Sequence, residues 1–260
     1  MTISPRAPAG NLRVVGLGPG PEAWLTPEAS AVLAEATDLI GYAPYLDRLP
    51  PRPGQTRHAS DNRVELERAR HALRLAEEGR RVAVASGGDP GVFAMAAAVF
   101  EAIDRGKPAW REIDIAICPG VSAMQAAAAR VGAPLGHDFC AISLSDNLKP
   151  WAVVERRLNA AAIGDFVIAL YNPASKARPH QIHDAFALLR RSKAPETPVI
   201  FARAIGRADE KITITTLAAA EPGLADMSTL VMIGSSETRL IARAGAQPFV
   251  YTPRDARASA

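Results

Sequence analysis

The sequence predicts an α/β protein in which strands and helices alternate along most of the chain. Short apolar runs typical of buried strands alternate with longer segments whose apolar residues recur at helical spacing. In the first half of the chain, three of these runs end in a glycine-containing loop that a helix follows. Apolar residues make up 48% of the 260 residues and charged residues 22%, a composition that suits a folded chain with ordinary buried cores.

The first half is predicted to contain four strands separated by helices. Strands are expected at residues 12–16, 38–41, 82–85 and 113–117, and helices at 26–36, 63–79, 92–105 and after residue 123. Thr26 is expected to cap the first helix, because threonine is a favoured N-cap and Pro27 suits the first helical position. Residues 42–53 are rich in proline and are expected to form a loop.

The pattern breaks where Gly132, Pro134 and Gly136 lie close together. We therefore predict an N-terminal domain at residues 10–136 and a C-terminal domain at residues 137–255. The second domain is expected to have strands at 141–144, 166–171, 199–204, 211–215 and 229–233, and helices at 151–161 and 175–191. Residues 211–217 alternate in the way of a half-buried antiparallel strand, which predicts a mixed sheet.

The charge and the cysteine content of the chain limit which ligands, metals and compartments it suits. The net charge is +3, and no run of basic residues is longer than two, which favours an acidic small molecule over nucleic acid. Cys118 and Cys140 fit a reducing compartment and cannot supply the four ligands of a typical iron–sulfur cluster, so no metal is expected. Neither a long apolar span nor a signal peptide is recognisable, which predicts a cytoplasmic chain with no membrane partner.

Three glycine loops carry the functional signal: the first at residues 16–20, the second at 86–90 and the third at 118–123. The first loop lacks the third glycine of a dinucleotide fingerprint, and its helix begins only after Thr26. No phosphate-binding lysine follows it. Ligands of open α/β sheets bind where loops converge at the carboxyl ends of strands. These loops therefore suit a nucleoside without phosphates, such as S-adenosylmethionine.

The three loops resemble, in order and spacing, the signature loops of the tetrapyrrole (corrin/porphyrin) methyltransferase family. The similarity continues through Ile233 and so covers nearly the whole chain. The resemblance implies two α/β domains with S-adenosylmethionine in the active-site cleft between them. It also implies a homodimer, the usual state of the family.

The resemblance also implies which residues contact the cofactor. They are Pro19, Gly87, Gly88, Asp89, Val92, Ser122 and Ala123 in the three loops, and Asn172, Ala204 and Ile205 in the second domain. Asp89 is the one anionic side chain among them and suits the ribose hydroxyls or the ammonium group of the cofactor. The alternative for Asp89 is the N-cap of the following helix.

Four further stretches, at residues 41–46, 135–139, 143–146 and 170–173, resemble one subgroup of the family, the precorrin-3B C17-methyltransferases. This similarity implies methylation of C17 of precorrin-3B with ring contraction to precorrin-4, a step of cobalamin biosynthesis. Siroheme-type members of the family carry an acidic residue directly after the tyrosine of the second strand, whereas this chain has Ala43. Their acid–base role is therefore not carried over.

Ring contraction requires proton movement, and the tetrapyrrole substrate carries many carboxylates. The candidates for moving protons are His137, Asp138, Ser145, Asp146 and Lys176, with no single catalytic residue assigned. The candidates for binding the substrate are Tyr42, Arg57, Arg63, Lys149, Lys176 and Arg178, because arginine and lysine pair with carboxylates. For each of them a loop cap or a solvated surface charge is the alternative.

Several other functions remain open from the sequence. Within the family, the chain is also compatible with another precorrin or cobalt-precorrin methyltransferase that acts at a different carbon. An RNA ribose methyltransferase has a related fold, and a non-catalytic adenosine-binding module or a dehydrogenase domain would belong to other classes. The lack of cluster cysteines favours the metal-free, oxygen-dependent route.

Overall fold

A computed structural model describes residues 10–61 and 64–255. Strands and helices alternate along this part of the chain, so the predicted α/β class is confirmed. The chain divides into two compact units between Ser122 and Ala123. Across the described ranges, no helix has both the length and the apolar character needed to cross a membrane.

The first unit contains one five-stranded parallel sheet in the order β3-β2-β4-β1-β5. Its strands are β1 (Asn11–Gly16), β2 (Asp38–Tyr42), β3 (Thr56–Ser60), β4 (Arg81–Ser86) and β5 (Asp114–Cys118). Its helices are α1 (Pro27–Glu35), α2 (Ala43–Leu46), α3 (Glu65–Glu77) and α4 (Met95–Asp104), with 3-10 turns at Glu22–Trp24 and Pro108–Glu112. Because all five strands are parallel, their carboxyl ends lie at one edge of the sheet.

Both faces of this sheet are buried, as expected where helices cover a parallel sheet. Val14 points to a cluster that includes residues of α3 and α4, and the next residue, Val15, points to a cluster on the opposite face with Leu33 of α1. The side chain of Thr26 accepts a hydrogen bond from the backbone N–H of Ala29 at 3.1 Å, which confirms the predicted cap of α1.

Three local predictions for the first unit were wrong. The predicted loop at residues 42–53 contains the short helix α2. Strand β3 was missed because most of its residues are polar and none is fully buried, as suits the edge of a sheet. Helix α4 begins at Met95 and not at residue 92, since Phe93 has a left-handed backbone with φ of 53°.

The second unit contains a mixed five-stranded sheet in the order β10-β9-β11-β8-β7, which confirms the predicted mixed sheet. Its strands are β7 (Phe139–Ser143), β8 (Val167–Tyr171), β9 (Pro198–Arg203), β10 (Lys211–Thr216) and β11 (Thr229–Ile233). Strands β7, β8 and β9 run in one direction, and β10 and β11 run in the other. The carboxyl ends of β7, β8 and β9 therefore share one edge.

A smaller three-stranded sheet completes the second unit, with β6 (Gly132–Ala133), β12 (Arg239–Arg243) and β13 (Ala246–Tyr251) in the order β12-β13-β6. The helices of this unit are α5 (Ala123–Val131), α6 (Trp151–Ile163) and α7 (Gln181–Leu189), with a 3-10 turn at Pro222–Leu224. Helix α7 begins six residues later than predicted, because the backbones of Ser175 and Arg178 pair in a tight turn before it.

The observed division lies 14 residues before the predicted boundary at 136/137, with Ala123 as the first residue of the second unit. Helix α5 contacts β11 and β13. Strand β6 pairs with β13, and Ala133 accepts a hydrogen bond from the backbone N–H of Thr252 at 3.1 Å. Residues 123–136 pack with the second unit because the unpredicted hairpin of β12 and β13 supplies their partner strand.

A chain of titratable side chains lies near the amino end of β2, away from the glycine loops. The Oδ1 atom of Asp38 lies 2.9 Å from Nε2 of His58, and Nδ1 of His58 lies 3.2 Å from Nε2 of His71. Burial tends to raise the pKa of Asp38, but hydrogen bonds from His58 and Thr37 outweigh it and hold the pKa below its ordinary value. Burial, assisted by the charge of His58, lowers the pKa of His71.

The free energy of unfolding is therefore expected to fall as the pH drops from about 7 to 5, since the unfolded chain binds a proton at His71 before the folded chain does. Asp38 adds a second loss below about pH 4, where its carboxylate protonates more readily in the unfolded chain. Urea unfolding at several pH values should show a shallower loss between about pH 7 and 5 for His71→Gln than for the wild type. An unchanged slope would contradict the assignment to His71.

Candidate functional site

The three glycine loops of the first unit are in direct backbone contact. The N–H of Gly18 in the first loop donates to the carbonyl of Gly88 in the second, and the N–H of Gly88 donates to the carbonyl of Gly18, both at 3.1 Å. Leu17 donates to the carbonyl of Ser86 at 2.8 Å, which extends the pairing of β1 and β4. The loops therefore meet at the carboxyl edge of the sheet, as the strand order requires.

Glycine is required in these loops because the backbones approach so closely. A Cβ atom on Gly120 of the third loop would lie 2.5 Å from the carbonyl oxygen of Gly88 and 2.9 Å from Cα of Gly16. In the second loop, a Cβ atom on Gly87 would lie 2.7 Å from the ring of Tyr45. The edge consequently presents main-chain atoms in a fixed arrangement with little side-chain bulk, which fits a ligand recognised through backbone amides and carbonyls.

Asp89 connects the second loop to the third. Its Oδ1 atom accepts a hydrogen bond from the N–H of Gly91 at 2.8 Å, and its Oδ2 atom accepts one from the N–H of Gly120 at 3.0 Å. The alternative role as an N-cap of the following helix is not observed, because α4 has Ala94 at its N-cap position. Each carboxylate oxygen has further lone pairs, so Asp89 is able to hold the loops together and accept from a ligand hydroxyl or ammonium.

In the second unit, predicted site residues lie together at the carboxyl edge of β7, β8 and β9. The side-chain amide of Asn172, directly after β8, donates to Oγ of Ser143, the last residue of β7, at 3.0 Å. Ala204 directly follows β9, and its N–H donates to the carbonyl of Ser228 at 2.9 Å. The hydroxyl of Tyr171 accepts from the N–H of Met124 at 3.1 Å and so fixes the start of α5.

Two residues at these strand ends have a left-handed backbone. Among residues 10–61 and 64–255, the non-glycine residues with positive φ are Phe93, Asp165, Asn172 and Ala204. Phe93 lies beside the predicted contact Val92, and Asn172 and Ala204 are predicted contacts themselves. A left-handed alanine costs on the order of 1 kcal/mol, and such strained residues cluster at ligand sites. Ala204, with a φ of 50°, is thus held in a strained conformation by its surroundings.

Residues 11–221 match the family model described as Tetrapyrrole (Corrin/Porphyrin) Methylases. The chain belongs to the tetrapyrrole methylase family. Its members use S-adenosylmethionine, so the phosphate-free nucleoside that was predicted for the three loops is the cofactor of the family.

Among relatives of this tetrapyrrole methylase, a Sinorhizobium protein named precorrin-3B C(17)-methyltransferase is 59% identical over 245 residues, which are 94% of this chain and 96% of the relative. A crystal structure of the methyltransferase CobJ has a TM-score of 0.89 and 55% identity and covers 94% of this chain and 100% of its own. A uroporphyrin-III C-methyltransferase from Thermus thermophilus, solved with S-adenosyl homocysteine, shares the fold with a TM-score of 0.66 and 22% identity, over 86% of this chain and 97% of its own.

The tetrapyrrole methylase places its predicted proton-moving residues at two different edges. His137 and Asp138 precede β7 and thus lie at the amino edge of the sheet, about 15 Å along a five-residue strand from Ser143. His137 also accepts a hydrogen bond at Nδ1 from the N–H of Asp138 at 2.8 Å. Ser145 and Asp146 follow β7 and lie at the same edge as Asn172. Of these four residues, Ser145 and Asp146 lie at the edge of the predicted cofactor contacts of this unit, and His137 and Asp138 do not.

The predicted substrate-binding cations have diverse surroundings. Arg57 donates to the carbonyls of Leu46 and Leu49 at 3.0 and 2.8 Å, which commits its guanidinium to the end of α2. Burial, together with the charge of Arg157, lowers the pKa of the half-buried Lys149. The remaining cations are Lys176, which is exposed, Arg178, which is buried beside the carbonyl of Asn172 at 3.5 Å, and Arg63, which is outside the described residues.

Sequence reasoning missed three residues that shape the site. Tyr45 packs against Gly87, Arg48 binds the first loop, and Gln181 donates to Oδ2 of Asp146 at 3.0 Å. No sequence signal marked Arg48, which lies in the segment that was predicted to be a proline-rich loop. Tyr45 was noted only as part of the stretch at residues 41–46 that resembles the subgroup. Gln181 was inside a predicted helix, where its contact across 35 residues had no local signature.

Proposed function

We propose that this chain transfers a methyl group from S-adenosylmethionine to C17 of precorrin-3B, with ring contraction to precorrin-4, in cobalamin biosynthesis. The observation that carries the proposal is the set of three glycine loops in mutual backbone contact at the strand ends. The similarity to the Sinorhizobium enzyme along nearly the whole of both chains supports the choice of substrate.

The cofactor, when bound, supplies a methyl group on a positively charged sulfur atom, and the sulfur leaves without needing a proton. Catalysis then depends mainly on holding the acceptor carbon in line with the methyl group. We propose that the protein contacts the cofactor at Pro19, Gly87, Gly88, Asp89, Val92, Ser122, Ala123, Asn172, Ala204 and Ile205. The backbone contacts between the loops support the members of this set that lie in them, because these contacts fix the loops before a ligand arrives.

Ring contraction also needs groups that hold or move protons. We propose Ser145 and Asp146 for this role before His137 and Asp138, since the former two share an edge with Asn172, and before Lys176, whose side chain is exposed. The hydrogen bond from Gln181 holds the carboxylate of Asp146 in one orientation. Lys149, Lys176 and Arg178, together with Tyr42 and the loop that it begins, are proposed to bind the substrate and its carboxylates.

We further propose that the enzyme works as a cytoplasmic homodimer and that the cofactor binds in a cleft between the domains predicted at residues 10–136 and 137–255. The cleft and the dimer rest on the family resemblance. The location rests on the pathway and on Cys118 and Cys140, which are unpaired. Sedimentation of the purified protein tests the dimer directly, and a monomer at micromolar concentration would contradict it.

Incubation with S-adenosylmethionine and precorrin-3B is expected to give a product that has gained one methyl group and has the absorption spectrum of a contracted ring. Mass spectrometry and ultraviolet–visible spectra report the two changes separately. A methyl gain without contraction would instead indicate another precorrin methyltransferase. Transfer to RNA ribose without transfer to precorrin, or no transfer at all, would overturn the proposal.

A further inference from the structure

The turn after α2 places an arginine against the first glycine loop. Nη2 of Arg48 donates to the carbonyls of Leu17 and Gly20 at 2.9 and 2.8 Å, and Nη1 donates to the carbonyl of Gly18 at 3.1 Å. Three acceptors in four consecutive residues are thus bound by one side chain that is 28 to 31 positions away in the sequence. A planar guanidinium presents its N–H groups in a fixed fork, so these bonds define the path of the loop.

The bound carbonyls surround the residue that is proposed to contact the cofactor. Pro19 lies between Gly18 and Gly20, so Arg48 holds the peptide groups on both sides of it. The carbonyl oxygen of Gly18 also accepts a hydrogen bond from the N–H of Gly88. The same oxygen is therefore bonded both to Arg48 and to the second loop. A shift of the first loop would therefore disturb its pairing with the second.

The position of Arg48 is itself fixed by helix α2. The backbone N–H of Arg48 donates to the carbonyl of Tyr45 at 3.3 Å, and the ring of Tyr45 packs against Gly87 in the second loop. Arg57 donates to the carbonyls of Leu46, the last residue of α2, and of Leu49 in the turn after it. Helix α2 thus contacts the second loop through Tyr45, and the turn after it contacts the first loop through Arg48.

We infer that Arg48 is a positioning residue that holds the first glycine loop in its cofactor-binding conformation and connects it to α2. It acts on the cofactor through Leu17, Gly18 and Gly20. The inference rests on the proposed function, because it assumes that the first loop binds S-adenosylmethionine. A binding loop that is held in place before the ligand arrives loses less conformational entropy when the ligand binds.

A cavity beside Arg48 provides a sharp test. It has a volume of about 260 Å³ and includes among its lining residues Arg48, the apolar side chains of Leu25, Leu33 and Leu49, and the exposed Arg52. Replacing Arg48 by alanine would enlarge this space toward the three carbonyls. Free guanidinium ion is small enough to enter it and to donate to the same oxygens.

The experiment measures the dissociation constant of S-adenosyl homocysteine by calorimetry for the wild type, Arg48→Ala, Arg48→Lys and the control Arg52→Ala. We expect Arg48→Ala to raise the constant at least about tenfold, since three charge-assisted hydrogen bonds are lost. Arg48→Lys should bind S-adenosyl homocysteine nearly as weakly as Arg48→Ala, because one ammonium group cannot reproduce the forked N–H groups of the guanidinium. Guanidinium chloride at about 20 mM is far below denaturing concentrations and should restore part of the affinity of Arg48→Ala. Sodium chloride at the same concentration should not.

Each outcome separates the inference from the proposed function. A wild type that does not bind S-adenosyl homocysteine overturns the proposed function itself. A wild type that binds, with Arg48→Ala binding equally well, overturns the inference alone. If the affinity of Arg48→Ala is lowered, is not restored by guanidinium and is accompanied by a lower melting temperature of the ligand-free variant, Arg48 serves general stability. That outcome would also overturn the inference.

Discussion

Gly120→Ala is expected to weaken cofactor binding at least about a hundredfold and to reduce the stability of the first unit by about 1–3 kcal/mol, the usual cost of overpacking. The new methyl group would lie 2.5 Å from the carbonyl oxygen of Gly88, where no flexible side chain is able to give way. The loops must therefore separate, and the hydrogen bond from Gly120 to Asp89 must lengthen. Calorimetry with S-adenosyl homocysteine and urea unfolding measure the two effects.

Gly223→Ala is the matched control, because nothing lies within 4 Å of a Cβ atom built on Gly223. The same substitution there is expected to leave both the affinity and the unfolding midpoint nearly unchanged. If Gly120→Ala bound the cofactor as the wild type does, the close contact of the loops would not matter for function.

Asp89→Ala has the second largest expected effect, a loss of about 30- to 300-fold in cofactor affinity. The substitution removes the acceptors of the N–H groups of Gly91 and Gly120, and each hydrogen bond to a charged group contributes about 1.5–3 kcal/mol. It also removes the anionic group proposed to face the ribose or the ammonium of the cofactor. The dissociation constant and the Michaelis constant for S-adenosylmethionine should rise together.

Asp89→Asn distinguishes these two contributions. Asparagine keeps one acceptor oxygen, which is able to serve Gly91, but it turns an N–H₂ group toward the N–H of Gly120. We expect it to lose nearly as much affinity as alanine does. Asp104→Ala, which removes an exposed carboxylate at the end of α4, is the control for charge and should leave the affinity unchanged.

The parts of the fold that sequence predicted well are those with strong local signals. The apolar runs that become β1, β4 and β11 mark buried strands, and Thr26 with Pro27 marks the start of α1. The glycine loops were recognised because glycine is costly within regular structure and therefore marks sharp turns or close backbone contact. The meeting of these loops follows from the parallel strand order, which the alternation of strands and helices implies.

The parts that were missed depend on contacts distant in sequence. Strand β3 has an edge position and polar residues, so its hydrogen bonds to β2 define it and its composition does not. The hairpin of β12 and β13 is exposed along most of its length, and its pairing with β6 moved the boundary between the units. Arg48 was missed for the same reason. Its three acceptors lie 28 to 31 positions away in the sequence and come close to Arg48 only in the folded chain.

Main-chain packing of the loops has a consequence for engineering. Because the contacts among Gly16, Gly88 and Gly120 involve no side chains, every exchange at these positions adds bulk and none offers a finer fit. Libraries that aim at a new acceptor molecule should therefore leave these positions fixed. Diversity is better directed to exposed positions of the segment after β7, such as Asn147 and Leu148, with Asp146 and Gln181 left unchanged because of their proposed role.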